Sequence, residues 1–122
     1  MAGAESSIVL LPRFTSLYGE AVGTREFTTL PLDVSRFGSA QFQFWRGPIL
    51  YAEGGSSFYV ALEESLDAEN WALGASAPTD IELPANQALF FSYAFRLRWF
   101  RLRAKFATNG GMVTCWAEGL LR

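Results

Sequence analysis

The chain has 122 residues, none of them histidine and only one a cysteine, Cys115. Without histidine the commonest general base is missing, and with it the Ser–His and Cys–His nucleophile arrangements. A single cysteine excludes an internal disulfide and, with no histidine to join it, a Cys/His zinc site. It fits a reducing compartment. Basic excess is also missing: ten Lys and Arg stand against twelve Asp and Glu, a net charge of −2. A dedicated nucleic-acid binder carries a positive surplus. No glycine-rich stretch has phosphate-loop spacing. Long apolar runs are lacking as well. The N-terminal MAGAESSIVLLPRF has no charged n-region and a very short apolar run, so it reads as neither a signal peptide nor a membrane helix. Together these features point to a protein kept in a cytoplasm, or assembled there into something larger, with no membrane partner.

What is abundant is aromatic. Half of the residues are hydrophobic and 16% are aromatic, including eleven Phe and four Trp. This composition argues for a folded single domain that buries a core without metal or disulfide help. So many large rings either fill a dense core or leave apolar surface for an interface.

No segment shows a helical stripe. Apolar residues come in short alternating runs divided by Gly, Pro, Asn and Asp, the pattern of an all-β chain. Ile8 to Phe14 is an apolar run broken by Pro12, an edge strand or an arm. Ser16 to Thr24, with Gly19 and Gly23, reads as loop. Strands are expected over 25–32, 40–45, 57–64 and 89–93, with brief ones near Trp71 and Ile81. In "FRLRWFRLRAKF", residues 95–106, the apolar positions change from odd to even across Trp99-Phe100. This marks a bulge or the start of the strand proper. Thr108-Asn109-Gly110-Gly111 is a hairpin signal, with Met112 to Ala117 returning. The count of about seven to nine strands is that of a single antiparallel β-sandwich. We divide the chain into an N-terminal arm or edge strand, residues 1–23, and a sandwich domain, residues 24–122.

Catalysis is not expected from these residues. Cys115 sits on the inward face of an expected strand and reads as a structural thiol. The carboxylate pairs Glu63-Glu64 and Asp67-Glu69 read as solvated groups. Hard oxygen ligands cluster at Ser65, Asp67, Glu69 and Asn70, but an Asx-type turn satisfying its own backbone explains them without calcium. We therefore assign no catalytic, cofactor or metal residues. Arg101, Arg103 and Lys105 form a basic face; alternate cations on a strand protect an edge or pair with carboxylates on a neighbour more readily than they hold nucleic acid. Trp45 and Trp116 lie opposite the expected core set, free to meet a sugar, a second sheet or a partner.

At "FYVALEESLDAENWALG" the chain resembles a known group. Ser65-Leu66-Asp67-Ala68-Glu69-Asn70-Trp71 is similar to the S-x-D-G-x-x-W turn of discoidin-like β-sandwiches and their jelly-roll relatives, with Ala68 where the pattern usually has Gly. "FRLRAKF" resembles the R-Y-V-R-L strand of those modules, and "LPLDVSRFGSAQFQFW" their "LDVS" strand entry. The resemblance spans roughly residues 27–118 and implies a jelly-roll sandwich. The chain is shorter than an extracellular discoidin module and lacks its disulfide and signal. Compact versions of this kind look like tailed-phage virion proteins, capsid decoration or neck and tail accessory subunits. That resemblance implies a non-enzymatic virion protein, assembled in the host cytoplasm, that binds capsid or tail subunits and itself. The candidate interface comprises Ile8, Val9, Leu10, Leu11 and Phe14 with Trp45 and Trp116. The alternative is a carbohydrate-binding module using exposed tryptophans.

Overall fold

A computed structural model describes residues 5–19, 24–51, 53–73, 81–109 and 111–122. Ten strands form two antiparallel sheets, with no helix among the described residues. They are β1 (Ser6–Tyr18), β2 (Thr24–Thr28), β3 (Leu32–Asp33), β4 (Ser39–Arg46), β5 (Glu53–Ser65), β6 (Ala72–Leu73), β7 (Ile81–Glu82), β8 (Gln87–Ala94), β9 (Trp99–Asn109) and β10 (Met112–Leu121). The first sheet, A, runs β1-β10-β4-β8; the second, B, runs β2-β9-β5-β6. β3 joins β2 alongside β9, and β7 joins β6 alongside β5. The pairing is nested: first strand with last, β2 and β3 with β9, β4 with β8, β5 with β6 and β7. A sandwich wound in this way is a jelly roll.

Alternation explains the layers. On β5 Phe58, Val60 and Leu62 point inward, and Leu102, Ala104 and Phe106 do the same on β9. They meet Phe42 and Phe44 of β4 and Val113, Cys115 and Ala117 of β10 from the other sheet. Phe42 and Phe100 stack across the core with ring centroids 5.2 Å apart. Fully burying a Phe contributes roughly 1.5–3 kcal/mol, and Phe42, Phe44, Phe58, Phe100 and Phe106 are all fully buried. The dense-core reading of the aromatics therefore holds for these five. Phe14 and Phe90 remain exposed, so the core does not account for every ring.

Three local expectations need correction. β9 and β10 are not a hairpin: β9 pairs with β2, β3 and β5, whereas β10 pairs with β1 and β4. Their apolar faces look at each other across the core, so the chain reverses from one sheet to the other there. Gly110 of the expected turn lies outside the described residues; Gly111 adopts φ 99°, which favours glycine. Ser16–Tyr18 are strand, not loop, because β1 stays paired with β10 to Met112. β1 is an edge strand that absorbs Pro12 by register shifts between Val9 and Leu11 and between Leu11 and Thr15. Finally, Glu63 and Glu64 are buried, not solvated. The odd-to-even change at Trp99-Phe100 is a strand boundary: β9 begins at Trp99 and keeps its register with β5 from there to Ala107.

Candidate interaction surface

The two outer faces differ in chemistry. On sheet B the candidate basic residues lie beside carboxylates. Arg101 Nε is 2.9 Å from Glu63 Oε1, and Arg103 Nε is 3.6 Å from Glu63 Oε2. Arg103 also reaches Glu26 at 3.4 Å. Lys105 stands opposite Glu26 on β2 and Tyr59 on β5. The Arg101 guanidinium lies 4.3 Å over the Trp71 ring. Buried Glu63 is thus bridged by two arginines, and this face is compensated within its own sheet. A burial as deep as that of Glu63 requires such partners.

Sheet A carries few charges on its outer face. Directly paired residues point to the same side, so the pairings trace rows across it. Val9, Glu118, Gln43 and Phe90 form one row; Trp116, Trp45 and Ala88 form the next. A third row at the far end joins Tyr18, Met112 and Leu50. Val9 is 58% exposed, Tyr18 56% and Phe90 73%. Between Val9 and Phe90 runs a groove of about 410 Å³ floored by Gln41, Gln43 and Glu118. A second hollow of about 390 Å³ adjoins it at Gln41 and is lined by Ser92 and Arg122. The charged pairs described on this face are internal: Arg122 Nε lies 3.3 Å from Glu5 Oε1 at one end, and Arg13 Nε donates to Glu118 Oε1 at 2.8 Å. That bond, then the charge of Arg13, holds the Glu118 carboxyl below its usual range.

The candidate interface residues separate on this background. Trp45 and Trp116 face each other with centroids 6.4 Å apart and planes 14° from parallel. Both are half-buried, and the Arg13 guanidinium covers Trp116 at 4.4 Å. Ile8, Leu10 and Leu11 are half-buried against the core; they are committed to the sandwich because β1 is one of its strands. Val9 and Phe14 are the exposed members. Phe14, 78% exposed, sits in the bulge of β1 with φ 63°, a left-handed conformation that costs an L-residue roughly 1–2 kcal/mol. Phe90, Tyr18 and Leu50 were not singled out from sequence. In "LFFSY" either parity places one Phe outward, so only the pairing of β8 with β4 shows that it is Phe90.

The oxygens proposed and then discounted as calcium ligands serve their own turn. Asp67 Oδ1 accepts from the backbone N–H groups of Asn70 at 2.8 Å and Glu69 at 2.9 Å, and Oδ2 from the Asn70 side chain at 2.8 Å. These bonds, the one from Asn70 N–H largest, hold the Asp67 carboxyl well below its usual range. The Ser65 hydroxyl accepts from Asp67 and Ala68 N–H and donates to Asp67 Oδ1. Ala68 has φ 63°, the conformation that a Gly at that position of the pattern would serve. Among the described residues no group of three or more His, Cys, Asp or Glu is placed to hold a metal. Cys115 is buried, and burial pushes its thiol up to about 11.

Glu64 has a role that the sequence did not reveal. Its side chain points between the sheets at one end of the core. Oε1 accepts from the backbone N–H of Arg96 at 2.7 Å and of Leu97 at 2.8 Å, and Oε2 accepts from the Tyr93 hydroxyl. The node ties β5 of one sheet to β8 of the other and to the crossover that follows. Burial first, and the Glu64 carboxylate second, push the Tyr93 phenol far above its usual pKa.

Neither a protein-family model nor a curated protein matches the chain. Solved structures do, at identities that speak for the fold alone. The PBSX exported protein XepA aligns with TM-score 0.63 and 12% identity over 95% of this chain and 36% of that one. The VP2 subviral particle of infectious bursal disease virus aligns with TM-score 0.61 and 6% identity, over 97% of this chain and 32% of that one. Tripeptidyl peptidase 2 aligns with TM-score 0.55 and 12% identity, over 99% of this chain and 10% of that one. The chain spans about a third, or less, of the length of each.

Proposed function

We propose that the chain is a non-enzymatic structural protein of a virion, a capsid decoration or neck and tail accessory subunit assembled in the host cytoplasm. It stabilises an assembly by protein–protein contacts made through the outer face of sheet A. The observation that carries this reading is the contrast between the two faces. Sheet B's outer face is compensated by its own ion pairs, whereas sheet A's presents Val9, Tyr18, Leu50 and Phe90 to solvent around two internal pairs, Arg13–Glu118 and Arg122–Glu5, among the described residues. An apolar face with a sparse polar floor suits a partner surface of similar character. The likeness to a viral particle protein and to PBSX exported protein XepA supports the same reading at the level of fold. Mechanistically, decoration is clamping: area buried at subunit junctions opposes their separation. Stable interfaces bury roughly 1,200–2,000 Å² in total, within reach of one face of a domain with 6803 Å² of surface.

A sugar-binding role is the second reading, favoured by two tryptophans beside the Gln41 and Gln43 amides. It is the weaker one, because the rings stack on each other and Arg13 occupies a face of Trp116. Two experiments separate them. Gold-labelled antibody against the chain is applied to particles purified from lysates of cells that express it, in parallel with a glycan array. Labelled particles, with label lost in a Val9→Asp, Leu50→Asp variant that still folds, support the structural role. Unlabelled particles together with glycan retention refute it.

A further inference from the structure

We propose that two chain crossovers at one end of the sandwich, residues 34–38 and 95–98, form a basic grip that docks an acidic segment of a partner protein through the guanidinium groups of Arg36 and Arg96. The inference goes beyond the virion reading: it concerns the end of the sandwich, not the outer face of sheet A, and would serve a sugar-binding module equally.

Both segments carry the chain from one sheet to the other, the first from β3 to β4 and the second from β8 to β9. They lie side by side and antiparallel. Val34 N–H donates to Arg98 C=O at 2.8 Å, and Phe95 N–H donates to Gly38 C=O at 2.9 Å. Arg36 and Arg96 fall between these two bonds. A turn closed by Phe37 N–H on Val34 C=O carries Arg36. Glu64 holds the backbone amides of Arg96 and Leu97. Phe37 and Phe95 pack against the core. The backbone is thus fixed from the core side, while both arginines are exposed.

These two differ from the other cations of the chain. Arg13, Arg98, Arg101, Arg103 and Arg122 each meet a carboxylate. Arg25 and Arg46 donate to backbone carbonyls, and Lys105 is engaged as well. The Arg36 and Arg96 guanidiniums have no hydrogen bond, ion pair or ring contact among the described residues. The carboxylates joined to these crossovers are already taken. Asp33 accepts from Arg98 and from Ser35 N–H. Glu64 accepts from Tyr93 and the two amides. Glu5 pairs with Arg122, whose own N–H bonds Ser39. The crossovers themselves hold three arginines and no carboxylate. In a chain of net charge −2, folding has brought like charges together without a counter-charge, an arrangement that disfavours the free state.

A guanidinium presents a fixed fork of N–H donors that matches the paired oxygens of a carboxylate or a phosphate. The carboxylate is the better fit here. A nucleic acid is a long polyanion, and a chain of net negative charge repels it along its length. A short acidic segment meets the local charges only, because salt screens the rest beyond about 8–10 Å. Exposed charge pairs contribute little each, so this contact steers and orients a partner more than it holds one. A short acidic probe is expected to bind with a dissociation constant of about 0.1–1 mM at low salt.

The test is a titration of the isotope-labelled full chain with acetylated, amidated hexaglutamate at low salt, read from the arginine Nε–H resonances. Those of Arg36 and Arg96 should shift together and saturate. Arg36→Gln and Arg96→Gln remove exposed side chains without partners, so both should fold with an unchanged urea midpoint. They should weaken binding roughly threefold each and roughly tenfold together. Arg25→Gln makes the same charge change farther along β9, opposite Phe106, and should leave binding unchanged. Inorganic phosphate and a short oligothymidylate are titrated in parallel. A wild type whose resonances do not shift overturns the proposal. So does binding that survives the double substitution, or that falls as much in Arg25→Gln, which would mean a diffuse effect of charge. Tighter binding of phosphate or oligothymidylate than of the peptide would make this a phosphate site, and overturns it too. A lower urea midpoint in either variant would show that the arginine is engaged within the fold, and overturns it equally.

Discussion

Replacing Glu64 probes the link between the two sheets. In Glu64→Ala the Tyr93 hydroxyl and the Arg96 and Leu97 amides lose their acceptor together. Glu64 is 2% exposed and Tyr93 also 2%, so little water replaces it. Hydrogen bonds to a charged group contribute about 1.5–3 kcal/mol each, and a buried donor left alone costs about 1–3 kcal/mol. These terms overlap because the crossover can relax. With that overlap, losing the three bonds is expected to cost about 3–5 kcal/mol, out of a total of about 5–15 kcal/mol. Glu64→Gln keeps an oxygen for the two amides and turns its NH₂ toward the Tyr93 oxygen, so about 1–2 kcal/mol is expected. Tyr93→Phe should cost a similar amount. Combined with Glu64→Ala it should cost less than the sum, because both remove the same bond. Urea unfolding at neutral pH and low protein concentration, followed by tryptophan fluorescence, measures all four variants. A Glu64→Ala loss within about 1 kcal/mol, well under the expected range, would refute the view that this carboxylate holds the sheets together. Glu64→Gln and Glu64→Ala losses of equal size would refute the assignment of Oε1 to the two amides.

Three further expectations follow from particular contacts. A Cβ at Gly119 would sit 2.7 Å from Phe42 Cδ1 and 3.3 Å from Gln41 O, and Phe42 is wedged between Phe44 and Phe100. Gly119→Ala should therefore cost about 1–3 kcal/mol, and an unchanged urea midpoint would show that the ring moves freely. Ala68→Gly relieves a φ of 63° and, after the added unfolded-state entropy, should stabilise by about 0.5–1 kcal/mol; a lower melting temperature would contradict this. Asp33 is lowered from 3.8 to about 2, first by the Ser35 side chain, then by the Ser35 N–H and Arg98. The folded value lies below the unfolded one, so the carboxylate contributes stability above 3.8 and loses it as pH falls toward 2. The difference in urea midpoint between wild type and Asp33→Asn should be present at neutral pH and shrink across that window; a difference constant down to pH 2 would refute the assignment.

Much of the fold was legible because strand alternation is a local property. Phe58-x-Val60-x-Leu62 and Ala40-x-Phe42-x-Phe44 show their buried faces without knowledge of their partners. The inward position of Cys115 and the self-satisfied Ser65–Asn70 turn are local in the same sense. Pairing partners are not local. The Asn-Gly signal after Lys105 announces a reversal of the chain, but a reversal within one sheet and one between sheets require similar backbone. The fate of Glu63 and Glu64 was equally hidden. A carboxylate is expected in water unless donors are brought to it, and these donors are 29 to 38 residues away along the chain.

Composition and period-two patterning were enough for an all-β sandwich and for the loss of histidine-dependent chemistry, because they depend only on which residues are present and how they alternate. Tertiary structure alone decided the nested strand order, the compensation of Arg101 and Arg103, the commitment of Ile8, Leu10 and Leu11 to the sandwich, and which phenylalanines fill the core and which, Phe14 and Phe90, stay exposed. Each of these is a relation between distant segments. Whether a side chain is surface or core, or an N–H bonded or free, depends on which strand comes to lie beside it.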